Sequence, residues 1–251
     1  MDISVVKGIL EQYRRSTLQL ILCGVSTVDG TGLAVDPAAS RIGGPALVSA
    51  GYPWPVDSRQ TPMMHLAQLN LADCDMPEPY PTSGVLQFYI STDDSWSEAL
   101  VRYIPVSEFS ECSHQWILPD DPDDSVIHGG FFTVTTRPYQ QLPTVDDRGF
   151  DFLPFPSDMD PDFFYEDHAE ELVNMLNDQP TLICGGGWAT FRQWDPRPEN
   201  ESLELLLQLD CYEDNGVVLN YGDRGIVNFF VNPHDVEKED FSHVFYTWSQ
   251  F

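Results

Sequence analysis

Positive charge is scarce in this sequence. Its 251 residues include 12 Lys+Arg against 40 Asp+Glu, a formal net charge of −28 at pH 7. A field of that sign repels polyanions, so binding to nucleic acid through its phosphates is not expected, nor is adsorption to an anionic membrane. Long apolar runs are missing as well. The uninterrupted stretch Leu20 to Cys23 is short, and nothing approaches the roughly 18 residues a spanning helix needs. Asp2, Arg14 and Arg15 do not suit a secretory signal. The five cysteines, Cys23, Cys74, Cys112, Cys184 and Cys211, form no CxxC pair, so neither a disulfide framework nor a zinc cluster is indicated. Reduced thiols in a cytoplasmic protein are the expectation.

Catalytic motifs are absent too. The six histidines (His65, His114, His128, His168, His234, His243) show no HExxH or HxH spacing, and there is no GxSxG elbow. Gly185-Gly186-Gly187 is not followed by the Gly-Lys-Ser/Thr of a phosphate loop. Asp158, Asp160 and Asp162 could open a calcium loop, but Phe163 and Ala169 stand where glycine and glutamate are required. No catalytic residue, metal or cofactor is therefore expected.

What the chain does have is 42% hydrophobic and 12% aromatic residues, too many for a disordered acidic tail, with 20 prolines and 17 glycines that favour turns. Ile3, Val6, Leu10 and Tyr13 predict an amphipathic helix over 3–15. Strands are predicted at 18–25, 65–71, 84–91, 102–106, 131–136, 203–210, 217–221 and 225–231 from β-branched and aromatic content. A second helix is predicted to start at Asp160-Pro161, with Tyr165, Ala169, Leu172, Val173 and Leu176 on its apolar face, and to stop at Pro180. Strands dominate, giving an α+β class.

Self-similarity is the most informative feature. Gly84-Val85-Leu86-Gln87-Phe88-Tyr89-Ile90-Ser91 matches Gly225-Ile226-Val227-Asn228-Phe229-Phe230-Val231-Asn232 in residue character. Upstream, Leu66-Ala67-Gln68-Leu69-Asn70 matches Leu206-Leu207-Gln208-Leu209-Asp210. Trp54 and Trp194 precede these glutamines at equal spacing, and Gly43-Gly44 and Gly185-Gly186-Gly187 precede the tryptophans. The pattern predicts two similar β-units from an internal duplication, about 40–92 and 183–232, packed together. An acidic insertion at about 105–160 lies between them.

The motifs Ser40-Arg41-Ile42-Gly43-Gly44-Pro45, Trp54-Pro55, His65 to Leu71, Gly84 to Ser91, Leu205 to Asp210, Gly222-Asp223-Arg224-Gly225, and Asp240-Phe241-Ser242 with Tyr246 and Trp248 make the chain resemble the YwqG-like family of bacterial domains of unknown function. The resemblance implies one α+β domain over 1–251 in a cytoplasmic bacterial protein. It supplies no catalytic residues. Family members are similar to immunity partners encoded beside toxins.

Two groups of residues are candidates for function. Arg41, Trp54, Gln68, Trp194, Gln208 and Asp223 could line a cleft between the units, serving an enzyme or a small-molecule binder. Alternatively, the two glutamines hydrogen-bond neighbouring loop backbone, as buried amides must. Asp120, Asp121, Asp123, Asp124, Asp146 and Asp147 form a candidate acidic cluster for a basic protein partner, because opposite charge speeds and selects association; a merely solvating acidic surface is the alternative. The expectation is a non-enzymatic binding protein, foremost an immunity protein that neutralises a basic toxin domain.

Overall fold

In a computed structural model, which describes residues 3–25, 36–93, 96–119, 125–157, 163 and 170–251, the described residues form fifteen strands and three α-helices, and the longer strands turn their apolar residues to the core. In chain order these are α1 (Ile3–Gln12), β1 (Arg15–Val25), β2 (Arg41–Ile42), β3 (Ala46–Val48), β4 (Met64–Asn70), β5 (Val85–Ile90), β6 (Ala99–Ile104), β7 (Ser113–Gln115), β8 (Ile127–His128) and β9 (Phe131–Gln141). There follow α2 (Glu170–Asn177), β10 (Ile183–Cys184), β11 (Glu204–Asp210), β12 (Tyr212–Asp214), β13 (Val217–Leu219), β14 (Ile226–Val231), α3 (Pro233–Val236) and β15 (Val244–Ser249). The predicted start of α2 at Asp160, with Tyr165, His168 and Ala169, lies outside the described residues.

Ten strands form one antiparallel sheet in the order β15-β14-β11-β10-β1-β9-β2-β4-β5-β6. Its middle is the eleven-residue ladder of β1 on β9. Outward from that ladder the two sides correspond: β10 with β2, β11 with β4, β14 with β5, β15 with β6. The registers correspond as well. Gln68 faces Arg41 on one side and Gln87 on the other, as Gln208 faces Ile183 and Asn228. Both β4 and β11 slip register at matching places, between His65 and Ala67 and between Leu205 and Leu207.

The sheet curls until its edge strands β6 and β15 approach each other, so it is nearly closed. Inside, Phe88 and Phe229 meet edge to face with centroids 5.1 Å apart, and Trp96 meets Trp248 at 5.0 Å. Burying each phenylalanine contributes roughly 1.5–3 kcal/mol. Helices α1 and α2 pack a separate apolar cluster around Val6, Leu10, Phe150, Leu172 and Trp188.

The segment 105–160 does more than separate the two halves: it contributes β9 to the centre of the sheet. That strand runs past the predicted end at Thr136 and includes Pro138. Proline is tolerated there because β2 pairs only with Phe132 and Thr133 and the Val134 N–H reaches Ser40, leaving β9 beyond that point without a second neighbouring strand. No helix among the described residues is long and apolar enough to cross a membrane.

Candidate functional site

The outer face of each half-sheet carries a buried amide that grips a covering loop. Gln68 accepts from the Leu47 N–H (3.2 Å) and donates to the Pro37 and Ala39 carbonyls. Gln208 accepts from the Thr190 N–H (2.7 Å) and donates to the Thr181 carbonyl. The neighbouring strand repeats the scheme, since Gln87 donates to the Leu47 carbonyl and Asn228 to the Thr190 carbonyl. In each half two adjacent amides therefore take both polar groups of one covering residue, Leu47 of β3 or Thr190, which satisfies backbone that burial would otherwise strand.

The first half adds cations to this layer. Arg102 donates to Gln87 Oε1, the Tyr89 hydroxyl and the Pro53 carbonyl. Arg41 is fully buried and donates to the carbonyls of Ala39, Pro45, Asp36 and Pro37. Burial pushes the Arg41 pKa down to about 10, so the guanidinium is charged at neutral pH. Trp54 donates to the Met63 carbonyl and meets Tyr89 edge to face.

Of the six candidate cleft residues, Arg41, Gln68 and Trp54 thus belong to the first half, with Arg41 beside Gln68. Gln208 lies on the other half, separated from Gln68 by β2, β9, β1 and β10. Trp194 is 70% exposed, and Asp223 sits on an exposed loop where its N–H meets Gln250 Oε1.

Within the candidate acidic cluster, Asp120, Asp121, Asp123 and Asp124 lie outside the described residues. Asp146 is half-buried, and burial raises its pKa. Asp147 is 3% exposed and fully engaged: it accepts from the Gly149 and Ala189 N–H groups and pairs with Arg197 at 2.8 Å.

Asp147 also leads to a cavity of about 460 Å³ between the halves. Its walls come from the start of β1 (Arg15, Ser16), the 77–80 loop of the first half, Gly185–Gly187 and residues 202–205 of the second, and Arg197. The three glycines follow β10 with φ of +67°, +91° and +93°, a left-handed path that side-chain-bearing residues resist. That path delivers Trp188, whose N–H and carbonyl are both held by the Gln141 amide. Arg15 lays its guanidinium 3.6 Å from the Trp188 ring centroid, a cation–π stack, and donates to the Gly187 carbonyl at 3.4 Å.

Opposite charges are matched around Arg197, which pairs with Asp147 and with Asp195 at 2.5 Å. Burial would raise the Asp195 carboxyl, but hydrogen bonds from Arg197 and Arg148 hold it down at about 2. Arg15 pairs with no carboxylate among the described residues. Tyr80, 6% exposed, brings to the same cavity a buried hydroxyl with no protein partner. Sequence reasoning missed Arg15, Tyr80 and Arg197. The alternation Asp195-Pro196-Arg197 hinted at a local ion pair, but Arg15 meets Trp188 only through the ladder of β1 on β10.

Gly187 is the tightest point of this wall, because a Cβ there would stand 2.5 Å from Gln141 Oε1. Gly187→Ala is expected to cost about 1–3 kcal/mol through backbone strain and displacement of that amide, read as a lower thermal midpoint. An unchanged midpoint would show that the loop relaxes freely.

Among the described residues no group of three or more His, Cys, Asp or Glu gathers to hold a metal ion. A comparison with curated proteins finds no match. Residues 40–249, which span the sheet from β2 to β15, match the model of a domain of unknown function, DUF1963, and the chain belongs to that family.

Proposed function

We propose that this chain is a non-enzymatic binding protein that captures a cationic protein partner, as an immunity protein capturing a basic toxin domain does. The observation that carries this reading is where nine of the twelve cations go. Lys7, Arg14, Arg59, Arg148, Arg192, Arg197 and Lys238 each pair with a carboxylate of the chain itself. Arg41 and Arg102 are consumed by carbonyls and amides of the covering loops. With these positive groups used internally, the forty acids outnumber the cations by 28, an excess whose field accelerates encounter with a basic surface 10- to 1000-fold. The finer assignment to the YwqG-like group and a cytoplasmic location agree with this role. So does descent of 40–92 and 183–232 from one duplicated unit, supported by the matching registers and amide pairs.

The test is capture of a cationic toxin domain encoded beside this chain, measured at low and high ionic strength. Association is expected to slow by about tenfold or more as the Debye length shrinks from ~30 Å at 0.01 M salt to ~8 Å at 0.15 M. No capture at low salt, or a rate indifferent to salt, would overturn the reading.

A second reading, binding of a small molecule in a cleft between the halves, is favoured by the Arg15–Arg197 cavity, which takes its walls from both halves and from the central strand.

A further inference from the structure

We propose that the cavity between the halves recognises a small molecule through one oxyanion group, a carboxylate or a phosphate, held by the guanidinium of Arg15 and the hydroxyl of Tyr80. The proposal rests on the cleft reading and names the chemistry of its ligand.

The two donors differ from everything around them. Arg197 is saturated by Asp147 and Asp195, and Asp147 by two backbone N–H groups and Arg197. Arg15 has a guanidinium with five N–H donors, of which the described residues take one, through the long bond to the Gly187 carbonyl. Its flat face rests on Trp188, which fixes the fork without neutralising it. A stacked, unpaired arginine presents its N–H edge as a carboxylate or phosphate would need it. Tyr80 supplies the second donor. Burying a hydroxyl with no protein partner costs free energy, and the fold retains that cost in a residue that is packed in the core and also lines the cavity. The positive-φ glycines let this wall pack tightly against Met76, Ser16 and Gln141, which holds the Arg15–Trp188 stack in place.

The mouth sets a further condition. Glu78 and Glu204 are exposed at the cavity and repel polyanions, while favouring an ammonium on the same molecule as the oxyanion. A small monoanion or zwitterion therefore fits, and a nucleotide or polyphosphate does not.

The experiment is a calorimetric or NMR titration of the full chain with acetate, inorganic phosphate, glycine and, as the cationic control, ethylammonium. At least one oxyanion probe should saturate at millimolar concentration, and the acetate and phosphate arms identify which oxyanion is preferred. Arg15→Gln should abolish that binding. Tyr80→Phe should weaken it about tenfold, the worth of one charge-assisted hydrogen bond, and at the same time raise the thermal midpoint of the ligand-free chain, because an unpaired buried hydroxyl is gone. These opposite signs separate a ligand-binding hydroxyl from a structural one: a lowered midpoint in Tyr80→Phe would overturn its role. Oxyanion binding unaffected by both substitutions would overturn the site. Ethylammonium binding lost in Glu204→Gln, with no oxyanion bound, would keep the cavity as a binding site and overturn its ligand class. Silence from all four probes would remove both.

Discussion

Replacing Arg41 with isoleucine is expected to destabilise the fold by about 3–5 kcal/mol, although isoleucine is what the corresponding position of the other half contains. Ile183 pairs with Gln208 as Arg41 pairs with Gln68, yet the two sites are closed differently. Over Ile183 the covering loop brings Ala189 and Phe191, an apolar lid on an apolar residue. Over Arg41 the loop turns four carbonyls inward, from Asp36, Pro37, Ala39 and Pro45, and the guanidinium is the donor that each of them shares. An isoleucine fills the volume but strands the Asp36 and Pro45 carbonyls and leaves those of Pro37 and Ala39 to Gln68 alone, and stranding an acceptor is the expensive half of losing a hydrogen bond. In a chain of this size a loss of that order lowers the thermal midpoint by roughly 6–20 °C. Arg41→Lys should recover only part of it, because one ammonium cannot reach acceptors spread around a planar fork. A melting curve for Arg41→Ile within a degree or two of the parent would show that the loop finds other donors.

That contrast also explains how much of the molecule was legible in its sequence. Gln68 and Gln208 stood out because an amide amid apolar neighbours must be satisfied, and both meet loop backbone. The long strands around them were readable from β-branched and aromatic runs. The two-residue strands β2 and β10 were not, since two residues carry no periodicity, and their pairing is dictated by the strands on either side. Strand β15 escaped notice for another reason: Val244, Phe245, Tyr246 and Trp248 are all half-buried, so its two faces do not alternate cleanly. The cavity was the least legible part. Arg15 figured in the sequence only as an interruption of apolar residues, and its stacking partner Trp188 lies at the far end of a long-range pairing. Asp147, grouped by composition with surface acids, is instead drawn inside by two backbone donors and Arg197.

The stability of the fold should fall by about 2 kcal/mol between pH 7 and pH 5, with His65 as the responsible group. His65 is 3% exposed and its Nδ1 lies 3.1 Å from the Gly44 carbonyl, so Nδ1 carries the proton and Nε2 is bare, buried and without a protein partner. A second proton would place a charge in that dry position. Burial is the main penalty, the Gly44 carbonyl opposes it, and nearby Arg41 and Arg102 add repulsion; together they hold the imidazole down at about 3. The unfolded chain titrates near 6.5, so between 6.5 and 3 it binds a proton that the folded chain refuses. Stability is therefore complete above 6.5 and declines as pH falls, approaching a slope of about 1.4 kcal/mol per pH unit. His114, also lowered by burial, acts in the same direction, whereas protonation of the forty carboxylates at still lower pH relieves their mutual repulsion and acts against it. The interval from 7 to 5 precedes most of that relief. His65→Asn keeps an N–H donor for the Gly44 carbonyl and cannot titrate. Its denaturant midpoint should be flatter over the same interval, whatever it loses in packing at pH 7. Equal slopes in the two proteins would mean that the buried imidazole accepts its second proton as readily as a free one, and that the amide and arginine layer over this half of the sheet is open to water.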